Sequence, residues 1–146
     1  MPNGQPPEVR DDYVRKGASQ GELRSHGFFY KPETAESGML GLPIAVPARA
    51  GYRHLFETSA AILFLRNNSL RFEEAGELAA DATRAKDDAC RASCVDWYGN
   101  AQPIFAHGRV LALLGYELVE GAFDGTQFHE IQRVNFAEQV TAASRR

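Results

Sequence analysis

The residue types best suited to chemistry gather in one stretch, Cys90-Arg91-Ala92-Ser93-Cys94-Val95-Asp96-Trp97-Tyr98, which holds both cysteines of the chain. In an extended strand the Cα atoms of Cys90 and Cys94 would lie about 13 Å apart, beyond disulfide reach. A loop or a helical turn brings them into range, so the spacing leaves a disulfide, free thiols and half of a metal site open. Zinc asks for four ligands, and His26, His54, His107 and His129 are scattered with no His-x3–5-His spacing, so no metal or other cofactor is expected. Nucleophilic catalysis needs a thiol or hydroxyl with a base and an orienting acid. Cys94 with Asp96 and a distant histidine is the arrangement the sequence offers, and a small hydrolase-like enzyme is the alternative function it implies. Asp96, Trp97 and Tyr98 are also the candidate ligand-binding residues, as a stacking platform, although an aromatic pair beside a strand more often packs. His107, in Ala-His-Gly, reads as a hairpin-turn residue. Glu73-Glu74 and Asp87-Asp88 are neighbours whose side chains diverge in a strand or loop, and they read as solvated charge. The glycines fit neither a phosphate loop nor a dinucleotide fingerprint.

The elements that must carry these residues are short and punctuated. The chain has 146 residues, 44% apolar and 24% charged, with a net charge of −3, which describes an ordinary domain with enough length to bury a core without staples. Its basic residues form no stripe, so no nucleic-acid partner is expected. The apolar runs Ala60 to Leu65 and Val110 to Leu114 fall far short of a bilayer span, and the polar N-terminus does not read as a signal peptide. Residues 1–22, rich in proline, glycine and charge, read as a flexible leader. Leu23 to Tyr30, Met39 to Val46, Ser59 to Arg66 and Leu70 to about Gly76 then read as strands of a first four-stranded unit over 23–78, with a tight reversal at Asn67-Asn68. A surface loop over 79–100 carries the cysteines. Helical spacing of Leu78, Ala82, Ala85 and Ala89 leaves a helix over 73–93, and with it a small α+β domain, as the rival reading.

The second unit covers 101–137 and is plainer. Pro103 opens a strand through Ile104 and Phe105, His107-Gly108 turns, Val110 to Leu114 returns, Tyr116 to Val119 follows, Gly121 to Gly125 turns, and Phe128 to Phe136 closes the unit before a tail over 138–146. The fold class is therefore all-β, as two antiparallel four-stranded sheets. Phe28, Tyr30, Leu42, Ile44, Ile62, Phe64, Phe72, Ile104, Phe105, Leu111, Leu113, Tyr116 and Leu118 are the expected core.

The frame Ser25-His26-Gly27-Phe28-Phe29-Tyr30, Gly41-Leu42-Pro43-Ile44, and Pro103-Ile104-Phe105 before Gly108-Arg109-Val110-Leu111-Ala112-Leu113 resembles the last blades of bacterial secreted proteins with a C-terminal β-propeller domain distantly related to WD40 repeats. The block Cys94 to Asn100 resembles the same terminal region, and the likeness covers residues 23–137. The resemblance implies propeller-blade sheets belonging to a larger propeller, a non-catalytic role as scaffold or as protein- or ligand-binding module, and a periplasmic or secreted parent. In such a compartment Cys90 and Cys94 would form an intraloop disulfide. About two blades cannot close a ring. The implied partner is therefore a second copy or the remaining blades of a parent protein, met through sheet faces.

Overall fold

A computed structural model describes residues 6–20, 27–47, 58–81 and 101–136. Within these described residues nine strands run in antiparallel order: β1 (Ser19–Gln20), β2 (Phe29–Pro32), β3 (Ser37–Pro47), β4 (Thr58–Asn68), β5 (Arg71–Ala79), β6 (Ala101–Ala106), β7 (Arg109–Leu114), β8 (Glu117–Phe123) and β9 (Phe128–Asn135). The described residues include no α-helix, and the strand reading holds through Ala79 where the rival placed one.

In the first sheet β3, β4 and β5 form a meander, and β1 and β2 share the fourth row by pairing with successive parts of β3. Pro43 falls in the interval between the residues of β3 paired to β2 (Gly38 to Gly41) and those paired to β1 (Ile44 and Ala45). A residue without an N–H donor is best tolerated where the ladder is already interrupted. The second sheet is the uninterrupted meander β6-β7-β8-β9. Pro103 is the third residue of β6, not its first, and β6 is an edge strand where a missing donor costs little.

Turn chemistry explains most connections. His107 and Gly108 both adopt positive φ, as a two-residue hairpin demands. The β4–β5 reversal lies at Ser69-Leu70, again with positive φ at both positions, two residues beyond the expected Asn67-Asn68. Asn67 stays in β4, paired with Gly38 and Phe72, and its side-chain amide donates to the Tyr30 hydroxyl at 3.0 Å. Pairing on both sides thus outweighs the local preference of asparagine for turns. The β8–β9 turn is Asp124 to Gln127 rather than Gly121 to Gly125. Gly121 lies within β8 at a bulge.

The sheets pack face to face. Met39, Ala60, Ile62, Phe64, Ala75 and Leu78 of the first meet Ala101, Ala112, Leu114, Val119 and Phe128 of the second. Phe64 is at the centre, fully buried, with the Phe128 ring centroid at 4.4 Å and that of Phe105 at 6.2 Å. Ile44, Ile62 and Phe64 are buried as expected, and Leu42 and Phe105 pack beside the core. Phe28, Tyr30, Phe72 and Tyr116, expected inside, are exposed. Ile104, Leu111, Leu113 and Leu118 lie on the opposite face of the second sheet and are only half-buried.

The outer face of the first sheet has its own cover. Residues 11–20, part of the expected flexible leader, cross it as a strap. The Asp11 carboxylate accepts the Phe72 N–H at 2.7 Å, the Tyr13 hydroxyl donates to Glu74, and Arg15 reaches Glu74 at 2.8 Å and Glu77 at 2.9 Å. Ser19 and Gln20 then pair with Ala45 and Ile44. Tyr13 and Ala18 pack on Ile44, Ala61, Leu63 and Leu65, an apolar cluster that would otherwise face water. Glu74, read as solvated charge, is a strap anchor.

Candidate interaction surface

Strand alternation places two cross-strand rows on the outer face of the second sheet. One row is Gln102, Leu113, Leu118 and Val134, and the other is Ile104, Leu111, Glu120 and Gln132. Five apolar side chains are contiguous there, and Val134 is 48% exposed. The acid in the second row is neutralised. Arg109 Nε donates to Glu120 Oε1 at 2.7 Å, a second guanidinium N–H reaches Oε2, and this pairing holds the Glu120 carboxyl below its ordinary range. The face is thus an apolar patch with a polar but charge-balanced border.

The opposite side of the same sheet shows what such a face does when covered. Its rows are Ala101, Leu114, Glu117 and Asn135, then Pro103, Ala112, Val119 and Arg133. At one end a clamp joins the sheets. Arg133 donates to Glu117 at 2.5 Å, to Glu130 at 2.7 Å and to the Ala79 carbonyl at 2.9 Å, and the Asp81 N–H donates to Glu117 at 2.9 Å. Glu117 is 4% exposed, and these bonds offset its burial. At the other end the sheets part around a cleft of about 410 Å³ lined by Lys31, Met39, Phe105, Val110, Phe123 and Ile131 among others.

Cys90, Cys94, Asp96, Trp97, Tyr98, His26 and His54 lie outside the described residues. His107 occupies an exposed turn, and His129 pairs with Asp124 at 2.5 Å in the β8–β9 turn. Asp124 also accepts the N–H groups of Thr126 and Gln127, and these bonds, with that of Gln127 foremost, lower its carboxyl to about 2. Among the described residues no group of three His, Cys, Asp or Glu side chains is placed to hold a metal ion, and no helix is long and apolar enough to cross a membrane.

The outer face was visible in the sequence as a strand apolar at successive positions, Val110 to Leu114. What the sequence did not give is which alternate set faces out. Comparison with protein-family models, curated proteins and solved structures finds no match for this chain.

Proposed function

We propose that this chain is a non-catalytic scaffold or binding module of propeller-blade type, which docks on another apolar sheet through the outer face of its second sheet. The observation that carries this reading is the contiguous, charge-balanced patch of Ile104, Leu111, Leu113, Leu118 and Val134. The meander β6-β7-β8-β9 has the strand order of a blade, and blades are covered by neighbours on both faces. Four strands about 4.8 Å apart and about six residues long present roughly 400 Å² of flat sheet. Standard interfaces bury roughly 800 Å² per partner, so two free copies associate weakly, whereas a neighbour tethered in the same chain gains from effective concentration. Further blades of a longer protein are the natural occupant, and a second copy is the occupant available in isolation. An exported parent and an oxidised Cys90–Cys94 pair belong to the same proposal.

Sedimentation velocity over a concentration series at low and high salt tests it. Weak self-association that salt barely alters, and that Leu113→Glu removes while the fold persists, is the expected result. A compact monomer at every concentration overturns the reading.

A further inference from the structure

The cleft between the sheets has an arrangement that the docking face does not explain. One cross-strand row of the first sheet runs Lys31, Met39, Arg66 and Glu73 and faces the second sheet. Opposite it stand Phe105 and Phe123, and the Arg66 guanidinium lies over the Phe123 ring, 5.8 Å from its centroid. The result is a space of about 410 Å³ lined by aromatic rings on one side and by Lys31 on the other, with Arg66 outside its lining, over the Phe123 ring.

The charges have unequal weight. Among the described residues neither Lys31 nor Arg66 forms an ion pair, and both are half-buried. Glu33 also lines the cleft and Glu73 pairs across from Arg66, but both are exposed, and solvent screens them more strongly. The remaining pair, Arg109 and Glu120, neutralises itself. The half-buried Lys31 therefore outweighs the exposed Glu33 beside an apolar wall. We propose that this cleft binds a small organic anion with an aromatic body, its carboxylate or sulfonate beside Lys31 and its ring against Phe105 and Phe123. Such a site has the composition of a small-molecule pocket, an apolar lining with a few polar groups that orient the ligand.

The test is an NMR titration of the whole chain with 2-naphthoate, and with naphthylmethylammonium as the cation of similar shape. Saturable amide shifts centred on Lys31, Phe105, Val110 and Phe123 are expected with the carboxylate, and much weaker ones with the ammonium. Lys31→Gln should weaken naphthoate binding about fivefold, and Glu33→Gln should tighten it by a smaller factor. Leu113→Glu, on the outer face, should leave it unchanged. Equal binding of both probes, shifts centred on Leu111, Leu113 and Leu118, or no saturation would each overturn the proposal.

Discussion

Gly41 of the first sheet stands so close to Pro103 of the second that a Cβ on the glycine would lie 2.4 Å from the proline Cβ. No side chain fits between them, and the neighbour is a rigid ring. Two further glycines mark the same close approach, since a Cβ on Gly121 would lie 2.9 Å from Leu78 Cδ1, and one on Gly76 would lie 3.2 Å from the Phe128 nitrogen. Gly41→Ala must push the sheets apart, and overpacking of this kind costs about 1–3 kcal/mol. Denaturant titration reads it directly. An unchanged midpoint would show that the sheets are not in contact there.

Neighbouring leucines of β7 separate the two faces. Leu114 is 1% exposed in the inter-sheet core, so Leu114→Ala should cost about 2–5 kcal/mol. Leu113 lies on the outer face and is half-buried, so Leu113→Ala should cost well under half as much in the monomer. Equal costs for the two would refute the face assignment.

That pair also shows what the sequence could and could not reveal. The strands of both sheets were legible because their apolar runs end at residues with turn chemistry, as at His107-Gly108. The inward set of the second sheet was not. Successive positions from Val110 to Leu114 are all apolar, so the run bounded by turns marks burial without saying on which face, and Leu111 and Leu113 were expected as core. The inside instead takes Ala112, with Ala60, Ala75 and Ala101, because sheets held as close as Gly41 and Pro103 leave room for small side chains. The strap was hidden for a different reason. Its polar composition resembles a leader, and its anchors depend on Glu74 and Glu77, about 60 residues away in sequence. The cleft was equally unreadable, since Lys31 and Arg66 share a row only once β2, β3 and β4 are in register.

The clamp at the closed end depends on a buried charge. Arg133→Ala would leave Glu117, 4% exposed, without its cation, and losing one partner of a buried pair costs about 3–5 kcal/mol. Replacing both, as Arg133→Met with Glu117→Leu, should recover much of that loss because no charge remains buried. Urea unfolding of the single and double variants measures the difference. A single-variant loss below about 1 kcal/mol would mean that the clamp does not join the sheets.

Acid should loosen the β8–β9 turn before the sheets themselves. Asp124, lowered to about 2 by the N–H donors of Gln127 and Thr126 and by His129, favours its carboxylate form in the folded chain. Its stabilising contribution is therefore complete above its ordinary value near 4 and is lost as pH falls through about 2. Amide exchange at Thr126 and Gln127, corrected for the intrinsic pH dependence, should rise over that window, and Asp124→Asn should flatten the response. Equal acid sensitivity in the variant would show that other carboxylates govern the turn.

The strap makes the sharpest claim about assembly, because it decides how many apolar faces the molecule offers. With residues 11–20 in place, the cluster of Ile44, Ala61, Leu63 and Leu65 is covered, and the outer face of the second sheet is the one left for docking among the described residues. A single self-complementary face gives at most a closed pair, whereas two different exposed faces permit head-to-tail growth. Tyr13→Ala with Arg15→Ala removes the ring packed on that cluster and the bonds to Glu74 and Glu77. The double variant should show faster amide exchange at the residues of β3 paired to the strap, Ile44 and Ala45, and should form species larger than a dimer at high concentration. Adding Leu113→Glu should stop that growth, since a chain of copies needs both faces. An unchanged exchange pattern, with no species beyond the dimer, would mean that the strap does not guard the first sheet.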